Sequence, residues 1–314
     1  MNNTYTSNQN FYNQRQNVAT IIGNPSDKQL DEKEINSIID ILQANGAIIE
    51  DIEWLNQDVA CDIFFAVLAL EEVKELLSHL LSELPFDFIV QKTENRRKKL
   101  LISDMDSTII EQECIDEIAD FANLKEEISE ITERAMNGEL DFKEALRERV
   151  SMLKGLSEDV LEKAFDQKIS LTPGAKELVQ TMKDNGAKTI LVSGGFTFFT
   201  EKVSEQVGFE VNEANILQIE SGELTGKVQE PILDKEAKLN SLRFYCEEAG
   251  IPLSDSIAVG DGANDLPMLL HSGIGIAYKA KKSVKKQANA SIDACDLTAL
   301  LYAQGYKYDQ FNIS

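Results

Sequence analysis

The sequence predicts an α/β protein, a doubly wound parallel sheet with a helical cap, preceded by a smaller α+β module. Three observations carry this prediction. The runs 99–103 (KLLIS), 188–195 (KTILVSGG) and 256–260 (SIAVG) are short and unbroken in apolar character, as expected of parallel strands buried on both faces. Between them lie helix-period segments, such as Ala175, Leu178, Val179, Met182 and then Leu239, Leu242, Phe244, Cys246, and strands alternating with helices indicate βαβ units. Each run ends in polar residues, at Asp104, Ser193 and Asp261. Ligands of doubly wound sheets bind beyond the carboxyl ends of the strands, so three distant motifs are expected to converge.

Residues 1–17 are rich in Asn and Gln and nearly free of aliphatics, the composition of a disordered tail. Residues 18–95 form the first module. Val18–Ile22 reads as a strand, and Ile35, Ile38, Ile39 and Leu42 then mark one face of a helix that Gly46 can end. Two strands follow over 47–54 and 59–68, then a helix through Val73, Leu76, Leu77, Leu80 and Leu84, and a last strand over 86–90. The order βαββαβ is ferredoxin-like. The basic stretch Arg96-Arg97-Lys98-Lys99 is expected to be a solvated linker into a second domain, 96–314. Inserted directly after that domain's first strand, residues 111–171 are helical and charged, with Ile115, Ile118, Ala119 and Ala122 on one face, and are expected to cap the carboxyl edge of the sheet. Arg147 and Arg149 fall in this cap, two residues apart, so on a helix only one of them faces the site. Pro173-Gly174 restarts the βα pattern.

At 314 residues the chain has room for two domains, and 43% hydrophobic with 27% charged residues is ordinary globular composition. A formal charge of -23 opposes nucleic acid and anionic membrane as partners. No run approaches the roughly 20 apolar residues of a membrane span, and the polar opening is unlike a signal peptide. Four cysteines without paired spacing point to reduced thiols in a cytoplasmic protein. His79 and His271 stand apart from every motif, which leaves little for histidine-ligated zinc or a Ser-His-Asp triad.

Asp104 and Asp106, two apart at a strand end, imply a bound cation, a chemical task or a solvated turn, since unpaired buried carboxylates are costly. Asp104 and Asp261 offer the hard oxygen ligands Mg²⁺ prefers, and the Asp106 carbonyl could add another. Ser193 and the Gly194 amide are donors for phosphate oxygens at a glycine turn, and Lys238 is a compact cation for the transferred group. A carboxylate nucleophile would split hydrolysis into two easier steps, with the second acid giving and then taking a proton.

DMDST (104–108), SGGFT (193–197), Lys238 and GDGANDLPM (260–268) resemble, in unbroken order over about residues 98–300, the four motifs of the haloacid dehalogenase superfamily. Their wording is similar to the branch that hydrolyses O-phospho-L-serine, the last step of serine formation. The resemblance implies that Asp104 is nucleophile and metal ligand, Asp106 the general acid/base, and Ser193, Gly194 and Lys238 the phosphate-binding groups. It also implies that Asp261 ligates Mg²⁺ with Asp265 in support, and that Asn264 lies near the phosphate. In the cap, Glu113 matches the residue that meets the substrate ammonium, Arg149 the one that meets its carboxylate, and Met136 and Phe142 apolar residues that close over it. The family lysine usually precedes a small residue, whereas Lys238 precedes Leu239. Its spacing to Gly260 favours it, with Lys235 as the alternative.

The first module resembles ACT-like regulatory domains in element order, which implies pairing into a homodimer or binding of an amino acid. The motifs leave open a phosphatase or phosphotransferase acting on a related ester such as phosphohomoserine or phosphothreonine, because only the cap meets the organic part. A chiefly regulatory chain that senses an amino acid through residues 18–93 is the third reading. An intact catalytic set weighs against it.

Overall fold

The structure is a computed structural model that describes residues 15–24 and 28–313. The tail expected over residues 1–17 lies outside the described residues up to residue 14, and Asn17 already opens a strand. The chain divides into two compact units, one ending at Arg96 and the other beginning at Arg97.

The first unit runs β1 (Asn17–Gly23), α1 (Glu32–Ala44), β2 (Ile48–Asn56), β3 (Ala60–Ala66), α2 (Leu70–Leu80) and β4 (Phe86–Lys92). Its sheet has the order β2-β3-β1-β4 with every pairing antiparallel, the ferredoxin-like arrangement. Asp31 caps α1 by accepting the amides of Lys33 and Glu34 at 2.8 and 3.1 Å. The helix buries Ile35, Ile38, Ile39 and Leu42 against Ile21, Ile63 and Phe65 of the sheet. Leu84 falls beyond the end of α2 and is 36% exposed, so the apolar stripe expected of that helix stops at Leu80.

The expected solvated linker is only half so: Arg97 and Lys99 are exposed, but Arg96 and Lys98 are anchored. Arg96 makes a bidentate pair with Asp62 at 2.6 and 2.7 Å and donates to Thr20 Oγ1 at 2.7 Å. Asp62 is 1% exposed, and a carboxylate that deep needs a paired cation. Lys98, in the second unit, is also buried and donates to the Ser254 carbonyl at 2.8 Å.

In the second unit β5 (Leu100–Ser103) is followed by four helices, α3 (Cys114–Asp120), α4 (Lys125–Met136), α5 (Phe142–Met152) and α6 (Asp159–Lys168). The chain then continues through α7 (Ala175–Asp184), β6 (Lys188–Phe196), α8 (Thr197–Val207), β7 (Val211–Asn215), the hairpin β8 (Leu217–Glu220) and β9 (Glu223–Val228), and α9 (Lys235–Glu248). It closes with β10 (Ser256–Gly260), α10 (Leu266–His271), β11 (Ile274–Tyr278), α11 (Lys282–Lys285), β12 (Ala290–Ile292) and α12 (Ala299–Ala303). The parallel sheet has the order β12-β11-β10-β5-β6-β7. Leu100, Leu101, Ile102, Ile257, Ala258 and Val259 are all fully buried at its centre, which is why these strands read as unbroken apolar runs.

The four-helix cap leaves and rejoins the sheet domain at one place, where Ile110 bridges Leu171 and the Thr172 amide donates to the Ile109 carbonyl at 2.9 Å. Ala122 lies just past the end of α3. The β8–β9 hairpin, unforeseen from sequence, extends the cap. The Gly155 amide donates to the Leu224 carbonyl at 2.9 Å, and a Cβ on Gly226 would meet Lys154 Cβ at 2.9 Å. On α9 it is Tyr245, not Phe244, that turns inward, and Phe244 is 58% exposed. Among the described residues no helix is long and apolar enough to cross a membrane, and none of the four cysteines forms a disulfide.

Candidate active site

Asp104 follows β5, Ser193 lies in the second half of β6 and Asp261 follows β10, and these three strands are neighbours in the sheet. The Asp104 amide donates to the Val259 carbonyl at 3.0 Å, so the ladder itself holds the first and third motifs side by side. Beyond Asp104 the chain turns sharply, with the amides of Thr108, Ile109 and Ile110 all converging on the Met105 carbonyl. This turn brings Asp106 beneath the cap. The β6–β7 register breaks between Val192 and Phe196, which frees Ser193, Gly194 and Gly195 from the ladder to face the site.

Two glycines are steric requirements here. A Cβ on Gly195 would stand 2.6 Å from Asp106 Oδ2, and one on Gly260 would stand 2.4 Å from the Asp265 carboxyl. The carboxylates therefore lie tight against backbone.

Lys238, on the buried stripe of α9 and fully sealed from solvent, places its ammonium 2.8 Å from Asp104 Oδ1 and 2.7 Å from Asp265 Oδ1. Burial acts to lower its pKa, but the two carboxylates outweigh burial and raise it above the ordinary lysine value. Lys235 is exposed at the start of the same helix. Asp265 spends its other oxygen on the amides of Asp261 and Gly262, at 3.1 and 3.0 Å. Both its oxygens are thus engaged, and its geometry fixes its neighbours.

Asp104, Asp261 and Asp265 bring carboxylate oxygens within 4.8 Å of one another. Asp106 stands outside this cluster, its carboxylate accepting the Cys114 amide at 2.8 Å and the Ser193 hydroxyl at 2.9 Å. Asp261 Oδ1 is buried with no hydrogen-bond partner, as is Asn264 Oδ1. Burial first, and neighbouring carboxylates second, push Asp104 and Asp261 far above the ordinary carboxylate range. Such a centre is short of positive charge. An orphaned oxygen beside hard donors is what a divalent cation bound by carboxylate and water would satisfy.

Above the sheet, a cavity is lined by Asp104, Asp106, Glu113, Ile115, Met136, Leu146, Arg149, Gly194, Gly195, Phe196 and Asn264. The cavity is small, about 30 Å³. The cap touches the sheet domain across it. The Ala263 amide donates to the Met136 carbonyl at 3.0 Å, and a Cβ on Gly194 would stand 2.7 Å from Phe142 Cζ.

An acid and a base, Glu113 and Arg149, face this chamber. Glu113 accepts the Ser107 hydroxyl at 2.6 Å, and burial with the Asp106 charge pushes its carboxyl up to about 8. Ser107 adopts a positive φ of 54°, a strained conformation for a residue with a Cβ. Arg149 is 5% exposed, with Nε on the Ala145 carbonyl at 3.1 Å and Nη1 on Thr132 Oγ1 at 2.9 Å. Arg147 points away, into an exposed pair with Glu230 at 2.8 Å. Sequence reasoning missed Ser107, Asp116 and Thr132. Asp116 was within reach of it, because it lies three residues after Glu113 and so on the same helical face.

An aspartate open to a chamber, a fixed lysine and a capped parallel sheet define a hydrolase class. The chain belongs to the haloacid dehalogenase-like hydrolase family, whose model matches residues 101–270. Among its relatives, the phosphoserine phosphatase of Archaeoglobus fulgidus is 44% identical over 231 residues, 73% of this chain and 67% of that protein. The phosphoserine phosphatase of Saccharomyces cerevisiae is 41% identical over 258 residues, 80% of this chain and 84% of that protein. A solved structure described as a phospho-aspartyl intermediate analogue of phosphoserine phosphatase superposes with a TM-score of 0.63 at 41% identity, covering 66% of this chain and 98% of that one.

Proposed function

We propose that this chain is a phosphatase that hydrolyses O-phospho-L-serine to L-serine and phosphate through a phosphorylated Asp104. The observation that carries the reading is that one small chamber is lined by Asp104, the acid Glu113 and the base Arg149, and a bound ammonium would draw the proton off Glu113. A zwitterionic substrate needs one anion for its ammonium and one cation for its carboxylate, and Arg can clamp a carboxylate through two parallel bonds. Relatives of 41–44% identity named as phosphoserine phosphatases support the same substrate.

Asp104 attacks the phosphorus, and the bond from phosphorus to the serine oxygen breaks as Asp106 protonates that oxygen. Asp106 then takes a proton from water, which attacks the acyl phosphate and releases inorganic phosphate. The Asp106 carboxylate is steadied for both roles by the Cys114 amide and the Ser193 hydroxyl. Lys238 favours the ionised form of Asp104, against the burial that opposes it, and offsets charge on the phosphoryl group. Ser193, Gly194 and Asn264 border the phosphate, and Met136 and Phe142 exclude water from above. Mg²⁺ is the ion we assign to Asp104, Asp261 and the Asp106 carbonyl, with Asp265 supporting Asp261. When bound it neutralises phosphate charge and fills the deficit left by the buried acids.

For the first unit we propose an ACT-like role in pairing two copies. The exposed edge strand β2, with Ile48 and Ile52 at 52% and 41% exposure, supports this. Reduced cysteines support a cytoplasmic setting.

A steady-state screen of O-phospho-L-serine, O-phospho-L-threonine, phosphohomoserine and an aryl phosphate, with and without EDTA, tests the reading. The highest kcat/KM is expected for O-phospho-L-serine, with loss of activity in EDTA. A higher value for another ester would replace the substrate.

A further inference from the structure

Arg149 is buried in the cap, yet among the described residues no carboxylate pairs with it directly and Nη2 has no partner. Its charge is met at one remove. Thr132 Oγ1, on α4, accepts from Arg149 Nη1 at 2.9 Å and stands 2.8 Å from Asp116 Oδ1 on α3. The other Asp116 oxygen accepts the Ser129 hydroxyl at 2.7 Å. Thr132 also lies 3.0 Å from the Ile128 carbonyl. A hydroxyl has one proton, and the carboxylate is the stronger acceptor, so the proton goes to Asp116 and the lone pairs turn toward Arg149.

We propose that Thr132, anchored by Asp116 and Ser129, is a positioning residue that aims Arg149 at the carboxylate of the ligand. This rests on the substrate reading above and deepens it. A direct Asp116–Arg149 pair would occupy the guanidinium fork that the ligand needs, because such pairs are commonly bidentate. Interposing a hydroxyl keeps the compensating charge near while leaving Nη2 uncommitted on a side chain that lines the chamber. Selectivity for an amino-acid phosphate then depends on a hydroxyl outside the cavity lining, held by three helices of the cap.

The test compares O-phospho-L-serine with O-phosphoethanolamine, which keeps the phosphate and the ammonium and lacks the carboxylate. Thr132→Val should raise KM for O-phospho-L-serine by about tenfold or more, the effect of losing a hydrogen bond to a charged group, with kcat little changed. The kcat/KM for O-phosphoethanolamine should stay at the wild-type value, and Thr132→Ser should restore KM. Asp116→Asn, which keeps the shape and removes the charge, should shift KM in the same direction. Equal losses on both substrates, an unchanged KM, or failure of Thr132→Ser to rescue would overturn the proposal in favour of plain helix packing. If the wild-type protein did not discriminate between the two substrates, the substrate reading itself would fall and this proposal with it. Discrimination by the wild type without any effect of Thr132→Val would remove only the relay.

Discussion

The Lys238 ammonium and Asp104 Oδ1 stand 2.8 Å apart with neither side chain open to solvent, 0% and 3% exposed. One buried cation thus serves two acids, because Asp265 takes the same ammonium at 2.7 Å. Lys238→Ala would strand both carboxylates. Removing one partner of a buried pair costs about 3–5 kcal/mol, so urea denaturation should show a clear loss of stability, and kcat should fall by orders of magnitude. Lys235→Ala, at an exposed position, should change neither.

A divalent cation should stabilise the fold as well as support activity. Binding to the native state alone raises apparent stability with ion concentration, so Mg²⁺ should raise the melting temperature of the EDTA-treated protein. Asp261→Asn, which alters the orphaned oxygen, should abolish that rise. A melting temperature indifferent to Mg²⁺ in the wild type would contradict the assignment.

Glu113 gives a pH signature. Its carboxyl titrates near 4.5 ordinarily and is pushed up to about 8 in the fold, by burial first and the Asp106 charge second. Between these values the unfolded chain gives up a proton that the native state keeps. The contribution is full below about 4.5 and is lost as pH rises to about 8. Calorimetry of metal-free protein should show stability falling across that window, and Glu113→Gln should flatten the slope.

Closure of the cap over Gly194 can be tested sterically. A methyl group at this position would lie 2.7 Å from Phe142 Cζ, so Gly194→Ala should push the ring away and loosen the chamber. A raised KM for O-phospho-L-serine is expected, and adding Phe142→Leu should recover part of it. An unaltered KM in the single variant would mean that Phe142 does not close there.

Much of this was legible in the sequence, for reasons visible at particular residues. Strands β5, β6 and β10 are buried on both faces, so their composition alone marked them, and the polar residues that end them marked the rim. The cap helices were legible as helices, but helical spacing alone could not separate Arg149 from Arg147; the resemblance singled out Arg149, and the packing buries it while Arg147 pairs with Glu230 in solvent. Thr132 was hidden because a threonine on an amphipathic helix carries no sign of what its hydroxyl meets. Arg96 and Lys98 were misread because a run of bases looks solvated until a buried acceptor such as Asp62 or the Ser254 carbonyl is known. Phe244 and Tyr245 were exchanged because adjacent aromatics on a helix differ by about 100°, and the stripe admits either.

The measurement that bears most directly on the account is borohydride trapping during turnover of O-phospho-L-serine, followed by peptide mapping. Borohydride reduces an acyl phosphate on aspartate to homoserine. The account predicts homoserine at position 104 alone, with none in Asp104→Asn and no phosphate release by that variant. Label at another carboxylate, or steady phosphate release from Asp104→Asn, would contradict it.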